Sequence, residues 1–289
     1  METRILGPIE NYELIDSGNG EKLEKFGNYI ISRPDPNAIW NKRMGLVEWQ
    51  KADAIFHASP SLKINFGSHW ENKNIKEPWT FSFENILMRL KLTPFKHTGV
   101  FPEQILNWEW FGEIIKKSNS KPNILNLFGY TGGATLYAAS KGASITHVDA
   151  SKPSIAWAIE NQKLSGLESA SIRWIVDDAK KFVAREIKRG HKYDAIILDP
   201  PSFGRDPKGK IFKFEKDVPD LLKLIKQILS PSPIFVLFNS YATGYSSTVI
   251  KNMLSEILPT EKIEAGELEI KEKGTERNLP AGIFARYKQ

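Results

Sequence analysis

Residues 123–151 read NILNLFGYTGGATLYAASKGASITHVDAS, and this stretch decides the fold of the chain. An apolar run, NILNLF, leads directly into Gly129 and then into Gly132 and Gly133. Glycines after a strand let a ligand approach bare backbone beside the N–H groups of the helix that follows. The stretch therefore predicts a strand, a ligand-binding turn, a helix and a second strand, SITHVD, that stops at Asp149.

The carboxylate at the end of the second strand identifies the kind of ligand. Asp149 comes about 20 residues after Gly129, where a carboxylate can accept both ribose hydroxyls of an adenosine-type ligand. A tight turn and a helix-capping Asp explain either feature alone, but the two together favour a ligand. The glycine pattern, GYTGG, differs from the GxGxxG fingerprint that cradles a pyrophosphate. It suits S-adenosylmethionine, which has no phosphate and needs room for its methionine tail.

From residue 123 onward, apolar runs alternate with helix-like segments. The strand-like runs are NILNLF at 123–128, SITHVD at 144–149, SIRWIV at 171–176, YDAIILD at 193–199 and IFVLFNS at 234–240. Helical periodicity covers residues 153–164, 179–189, 218–229 and 247–258. The alternation predicts an α/β fold, a mostly parallel Rossmann-like sheet with helices on both faces. Residues 262–270 and 282–287 are expected to add an antiparallel strand pair at the sheet edge.

The first 93 residues lack this alternation. They contain short β-type runs separated by the turn signals DSGNG, RPDPN and SPS. We therefore expect two domains: a small β-rich N-terminal domain over residues 1–93 and the α/β domain over residues 94–289.

Two further strand ends carry polar residues. The third strand is followed by Asp177, Asp178 and Ala179, where a carboxylate or backbone group can hold the amino group of adenine. An ordinary N-cap for the next helix explains either Asp equally well. The fourth strand ends in LDPPSFG at 198–204, in which Pro200 and Pro201 remove two backbone donors and keep the chain extended with exposed carbonyls.

The DPP turn suits methyl transfer to nitrogen. Asp199 and the carbonyl of Pro200 can hold a nitrogen nucleophile in line with a sulfonium methyl group, and such positioning supplies much of the rate. A strained turn without catalytic function is the alternative. Phe203 either stacks on a base or packs in the core.

Composition limits the chemistry. The 289 residues include no cysteine, so disulfides, thiolate nucleophiles and Cys-ligated metals are excluded, and no pair of the five histidines has metal-ligand spacing. No signal peptide or membrane span is predicted, so we expect a cytoplasmic protein. The net charge is +6, and residues 1–120 contain 15 basic and 15 acidic side chains, so the excess lies entirely in residues 121–289.

A basic and aromatic segment follows the DPP turn. Residues 203–216, FGRDPKGKIFKFEK, place five cations among three phenylalanines. Such a segment suits an RNA backbone and an unstacked base, although a solvated loop explains it as well.

Four motifs resemble those of class I S-adenosylmethionine-dependent methyltransferases, in particular the group of bacterial large-subunit ribosomal-RNA enzymes that make 5-methylcytosine or 7-methylguanine. The motifs are FKHTGVFPEQ at 95–104, NLFGYTGGA at 126–134, VDASKPSIAWAIENQ at 148–162 and LDPPSFG. The resemblance implies a cofactor site that includes Gln104, Phe128, Gly129, Tyr130, Thr131, Gly132, Asp149, Ala150, Ser151, Asp178, Ala179 and Asp199. It implies that Asp149 binds ribose, and that Asp199, Pro200 and Phe203 serve catalysis.

The departures from this group narrow the reaction. Relatives that methylate cytosine C5 carry a cysteine nucleophile after the fifth strand, whereas residues 237–244 read LFNSYATG. We therefore expect direct displacement at a base nitrogen of RNA, with ribosomal RNA as the implied substrate and no metal. A methyltransferase acting on a small molecule or a protein is one alternative, and a non-catalytic RNA-binding or assembly factor that retains cofactor affinity is another.

Overall fold

The computed structural model describes residues 2–59, 68–201, 203–205, 211–241 and 244–289, and at 203–205 and 211 it describes only the backbone. The chain divides into two compact units. The first contains Met1–Arg4, Gln104–Leu268 and Gly282–Gln289, and the second contains Ile5–Glu103 and Glu269–Ala281. The boundary that we expect near residue 93 between independent domains stays a prediction.

The strands of the described residues are β1 Glu2–Leu6, β2 Tyr12–Gly18, β3 Glu21–Phe26, β4 Tyr29–Pro34, β5 Ala54–His57, β6 His69–Asn72, β7 Trp79–Phe83, β8 Ile86–Leu90, β9 Asn123–Leu127, β10 Ser144–Asp149, β11 Ile172–Val176, β12 Ala195–Leu198, β13 Phe203–Arg205, β14 Ile211–Lys213, β15 Phe235–Ser240, β16 Ile263–Lys271 and β17 Asn278–Lys288. The helices are α1 Leu46–Gln50, α2 Ile105–Lys116, α3 Gly133–Ser140, α4 Lys152–Leu164, α5 Ala179–Arg189, α6 Phe214–Ile228 and α7 Ser247–Ser255. Short 3-10 turns cover Pro102–Gln104 and Thr260–Lys262.

An eight-stranded sheet organises the first unit, in the order β1-β16-β17-β15-β12-β9-β10-β11. The strands β15, β12, β9, β10 and β11 run parallel, and β17 pairs antiparallel with β15. Every residue of β12 and β15 is buried, as expected for parallel strands that are covered on both faces. The carboxyl ends of β9, β10, β11 and β12 therefore meet at one edge, where polar residues can form a site.

Helix boundaries in this unit follow their sequence signals. Ser151 caps α4 by accepting a hydrogen bond from the N–H of Ser154, and a proline occupies the first turn. The helix α5 covers the predicted residues 179–189 and ends at Gly190 in the left-handed conformation. Side chains of α5, α6 and β15 form the core on one face, including the buried Phe182, Leu221 and Phe238.

The fold class is confirmed: the unit has the predicted Rossmann-like sheet with an antiparallel pair, β16 and β17, beyond the parallel strands. The structure adds one strand to that side. The strand β1 lies beside β16, and Arg4 on β1 binds Glu264 on β16 with an Nη2 to Oε1 distance of 2.7 Å. This pairing joins residues 260 positions apart, and local sequence patterns carry no signal for it.

The second unit is β-rich. A five-stranded sheet has the order β2-β3-β4-β5-β6, and β7 and β8 form a separate hairpin. A buried ion pair lies in it: Arg33 donates through Nε and Nη2 to the two carboxylate oxygens of Glu24, at 2.6 and 3.1 Å. Tyr12 donates its hydroxyl to the same carboxylate, so the buried charges of this pair are satisfied by polar partners.

Candidate active site

The turn after β9 has an unusual backbone. Phe128 and Tyr130 have φ values of 59° and 50°, and Gly132, which precedes α3, has a φ of 89°. Left-handed residues other than glycine are uncommon and cost free energy, so contacts from the rest of the fold must hold them in place. Asn161 on α4 supplies one such contact because its Nδ2 donates to the carbonyl of Thr131 at 2.9 Å.

Gly129 is required by close packing. A Cβ atom at this position would lie 2.3 Å from Cε1 of His147, well inside the closest approach of real atoms. The His147 ring is fully buried, and its Nδ1 lies 2.8 Å from the hydroxyl of Thr135. Burial lowers the pKa of His147 to about 3, so the ring is neutral. The glycine therefore lets a rigid, uncharged ring lie directly under the turn.

Asp149 ends β10 and joins the turn to the next helix. Its Oδ2 accepts a hydrogen bond from the N–H of Tyr130 at 2.9 Å, and its Oδ1 accepts one from the N–H of Ser151 at 2.8 Å. Burial raises the pKa of Asp149, and these two backbone hydrogen bonds oppose the rise. Each oxygen keeps acceptor capacity for a further donor. The structure thus brings together three of the predicted residues: Tyr130, Asp149 and Ser151.

The third strand ends beside Asp149. The N–H of Asp177 donates to the carbonyl of Asp149 at 3.0 Å. Asp178 caps α5, because its Oδ1 accepts from the N–H of Lys181 at 2.9 Å, and Asp177 forms an ion pair with Arg185. The capping function considered in the sequence analysis is therefore present at Asp178, while Ala179 is buried in the first turn of α5.

Asp199 ends the fourth parallel strand in a different environment. The side chain is partly buried and hydrogen-bonds to the side chain of Asn239, at the end of the neighbouring β15. Burial raises the pKa of Asp199 to about 6, although the hydrogen bond from Asn239 opposes the rise. Pro200 is buried after it and Pro201 is exposed. The carboxylate therefore changes protonation state near neutral pH.

A chain of amide side chains connects Asp199 to Gln104. Asn107 Nδ2 donates to Gln104 Oε1 at 2.8 Å and lies 3.4 Å from Asn239 Oδ1. Asn107 and Asn239 are almost fully buried. Gln104 and Asp199 are among the site residues expected from the sequence, whereas the two asparagines are not. A polar residue at the end of an apolar strand, as in IFVLFN at 234–239, is a signal that could have identified Asn239.

The remaining predicted residues lie around these groups. Phe128 packs against Phe212 with ring centroids 5.7 Å apart, and Ala150 is exposed. The side chain of Phe203 and residues 206–210 of the basic segment lie outside the described residues, so the structure does not distinguish between the alternatives for either.

The described part of the chain shows neither a metal-binding cluster nor a membrane-spanning helix. Its histidine and acidic side chains form no group of three or more that could hold a metal ion. No helix there has the length and apolar character needed to cross a membrane.

The sheet order and the strand-end groups define a class I methyltransferase. A family model described as S-adenosylmethionine-dependent methyltransferase matches residues 54–255. The chain belongs to this family, and it is an enzyme whose cofactor is S-adenosylmethionine.

Relatives with known names agree with this assignment. The crystal structure of the S-adenosylmethionine-dependent methyltransferase from Agrobacterium tumefaciens is 39% identical, with a TM-score of 0.90, and the match covers 99% of this chain and 93% of that one. The structure of SMU.776 complexed with S-adenosylhomocysteine is 19% identical, with a TM-score of 0.73, covering 96% of this chain and 76% of that one. At that identity the match shows the fold alone.

The curated relatives include enzymes that are named as ribosomal RNA methyltransferases. The ribosomal RNA large subunit methyltransferase K/L of Shewanella baltica is 34% identical over 257 residues, which cover 80% of this chain and 34% of the relative. The chain therefore spans about a third of the length of the K/L relatives that it matches.

The strand-end groups fit the cofactor of the family. The Asp149 carboxylate is held by two backbone N–H groups and is partly exposed. An acceptor of this kind can bind two neighbouring hydroxyl groups without rearranging. The described residues thus provide the acceptor that an adenosine ligand requires.

Proposed function

We propose that this enzyme methylates a nitrogen of a base in RNA by direct displacement, and that the RNA is ribosomal. The observation that carries the proposal is the environment of Asp199. Its carboxylate lies at the end of β12, receives a hydrogen bond from Asn239 and precedes two prolines. A partly buried acceptor at this edge is suited to an N–H group of an acceptor base.

Cofactor binding is assigned to the neighbouring strand ends. Asp149 accepts the ribose hydroxyls, and the turn from Phe128 to Gly132 lies along the cofactor with Gln104. Because the carboxylate of Asp178 is engaged by the Lys181 N–H, Asp178 contributes backbone rather than side chain to the adenine site, with Ala179. Ala150 and Ser151 complete the ribose side.

The chain's own residues position the nucleophile and manage its proton. S-adenosylmethionine, when bound, supplies a methyl group that is electrophilic because it is attached to a sulfonium. Asp199 accepts the N–H of the base and the carbonyl of Pro200 can accept a second, which orients the nitrogen lone pair. Above pH 6 Asp199 is ionised and can take the proton that the nitrogen loses as its bond to carbon forms.

Three observations support a base nitrogen of RNA over other acceptors. The sequence contains no cysteine, so the thiolate addition that methylation at cytosine C5 requires cannot occur. The relative from Shewanella baltica is named for methylation of large-subunit ribosomal RNA. Because that RNA is in the cytoplasm, we propose that the enzyme acts there. The basic excess of residues 121–289 suits a polyanionic substrate.

The test is transfer of labelled methyl groups from S-adenosylmethionine to unmodified total RNA. Protein and small-metabolite fractions are assayed in parallel, and nucleosides are identified by mass spectrometry. The expected product is a guanine or adenine methylated at nitrogen. Label in 5-methylcytosine, or label only in protein or metabolites, would contradict the proposal.

A matched pair of variants guards this experiment against contaminating activity. Asp199→Ala should give about 10²- to 10³-fold less labelled nucleoside, whereas Asp194→Asn, at the other end of the same strand, should label RNA like the unmodified enzyme. Asp194 accepts the backbone N–H of Asn123 at 2.9 Å, and asparagine keeps an oxygen for that bond.

A further inference from the structure

A groove of about 700 Å³ in the first unit has no place in the proposed reaction. Its lining includes Arg4, Trp110, Lys117, Ile234, Arg286 and Lys288. Ile234 directly precedes β15, and Lys288 on β17 pairs with Phe235, the first residue of β15. Asp199 and Asn239 instead lie at the carboxyl ends of their strands. The groove is therefore toward the opposite end of the sheet from the candidate active site.

Arg286 is the most deeply buried cation that lines the groove. Its side chain is 2% exposed, and its Nε and Nη2 have no hydrogen-bond partner. The guanidinium carbon lies 3.9 Å from the ring centroid of Phe284 and 5.2 Å from that of Trp110. Aromatic rings bind the flat faces of a guanidinium, whereas its N–H donors lie on the edges. Burial lowers its pKa to about 10, so it remains a cation at neutral pH.

Two other arginines show what the Nε and Nη2 side of a guanidinium binds in this protein. Arg33 uses Nε and Nη2 to bind both oxygens of Glu24, and Arg4 uses the same two atoms to bind Glu264. Glu264 is the carboxylate whose charge acts most strongly on Arg286, but it is bonded to Arg4. A buried cation without a bonded anion is destabilising, which indicates a site that an external anion completes.

The rim of the groove favours an anion that is larger than a carboxylate. Lys117 and Lys288 add cations near Arg286, whereas Arg4 is paired with Glu2 and Glu264. Two carboxylates, Glu109 and Glu113, also line the groove, and Glu113 is paired with Lys116 at 2.9 Å. The Nε and Nη2 fork of arginine matches two oxygens of a phosphate group, and lysines add positive charge around it.

We propose that Arg286 binds a phosphate group of the RNA substrate in this groove. This inference rests on the proposed function, because it supplies that reaction with a second contact to RNA. Asp199 follows Leu198, which pairs with Phe238. Arg286 pairs with Leu237, so two residues and two strand spacings separate the backbones of Asp199 and Arg286. This is roughly 12 Å, a distance that about three or four nucleotides of a helical strand cover. A stem or loop of modest size therefore reaches from Asp199 to Arg286.

The test compares Arg286→Met with Lys188→Gln, an exposed lysine on α5. Methionine keeps an unbranched apolar side chain between the rings and removes the unpaired charge, so its melting temperature should equal or exceed that of the unmodified enzyme. Loss of one charge-assisted contact should raise KM for RNA by about tenfold, while kcat and KM for S-adenosylmethionine stay unchanged. Lys188→Gln should leave all three constants unchanged.

A binding measurement separates this inference from the proposed function. Fluorescence anisotropy with a short single-stranded RNA should show about tenfold weaker binding to Arg286→Met, and inorganic phosphate should compete weakly. If the unmodified enzyme methylates no RNA, the proposed function fails, while loss of oligonucleotide binding in Arg286→Met still supports the groove.

Two results would overturn the groove proposal. One is an Arg286→Met enzyme that methylates RNA with an unchanged KM and binds the oligonucleotide normally. The other is that inorganic phosphate raises the melting temperature of the unmodified enzyme but not that of Arg286→Met, while both proteins bind RNA equally well. That result would indicate a small phosphate ligand in place of RNA.

Discussion

The ends of β10 and β12 both place an aspartate at the same edge of the sheet, but the two carboxylates are held in opposite ways. Asp149 accepts backbone N–H groups from Tyr130 and Ser151, one on each oxygen. Asp199 has a hydrogen bond from one amide side chain, that of Asn239, and burial raises its pKa to about 6. Backbone donors fix a carboxylate, whereas a single side-chain donor leaves it able to change partners and protonation state.

The two environments suit two functions: Asp149 can hold a ligand, and Asp199 can take part in proton transfer. A fixed carboxylate suits a ligand group that does not change during the reaction, such as a ribose. A carboxylate that titrates near neutral pH suits a group that loses a proton. The four predictions below test this separation.

The largest effect is expected at the β12 end. Asp199→Ala should lower kcat by about 10²- to 10³-fold, because the acceptor that orients the nucleophile is lost. The Kd for S-adenosylmethionine, measured by calorimetry, should stay within about twofold because Asp149 is untouched. Near-normal turnover in this variant would mean that the DPP turn has only a structural function.

The next effect tests how rigid the β10 end is. Gly129→Ala would place a Cβ 2.3 Å from the His147 ring, so we expect it to lower the free energy of unfolding by about 3 kcal/mol. Urea unfolding measures the loss. In a double-mutant cycle, His147→Ala should recover part of it, because the clash disappears. If the losses in the free energy of unfolding for the two substitutions were strictly additive, the Cβ that Gly129→Ala adds would not clash with His147 in the folded variant.

Asp149→Ala should weaken cofactor binding and leave kcat largely intact, which is the reverse of the effect expected for Asp199→Ala. Removal of charge-assisted hydrogen bonds should weaken binding of S-adenosylmethionine by roughly ten- to a hundredfold in calorimetry. With saturating cofactor, kcat should recover to within a fewfold of normal. Unchanged affinity would exclude the assignment of Asp149 to the ribose. A kcat that stays low at saturating cofactor would show that Asp149 also contributes to the reaction itself.

The smallest effect concerns pH. Activity should fall as pH drops through about 6, because Asp199 becomes protonated and no longer accepts the N–H of the base. The hydrogen bond from Asn239 lowers this pKa, so Asn239→Ala should move the acid limb of the kcat/KM profile to higher pH, by up to about one unit. Asn123→Ala, at the amino end of β9, serves as the control, and an unmoved limb in Asn239→Ala would contradict the assignment.

Local sequence patterns predict much of the first unit. The helix α5 occupies the expected residues, and the glycine turn and Asp149 meet as the spacing indicates. These features depend on residues that are close in sequence or on adjacent parallel strands, for which periodicity and strand ends are reliable signals.

The parts that sequence misses depend on distant contacts. Asn107 and Asn239 approach each other across 132 positions, and neither belongs to one of the four family motifs. The collision of a Cβ at Gly129 with His147 follows from the register of β9 and β10, which composition does not specify. The unpaired edge of Arg286 also becomes visible only when its neighbours in space are known.

The position of β17 in the sheet has a consequence for how the chain folds. The outer edge of β15 is covered by β17, which is followed by β16 and β1. During synthesis β17 begins 38 residues after β15 ends, and until β17 is made the edge of β15 presents unpaired N–H and C=O groups to other nascent chains. The last pairing, between β1 and β16, closes a loop of some 260 residues. Such non-local closure is slow, and this edge of the nascent sheet is therefore where a chaperone would be most useful.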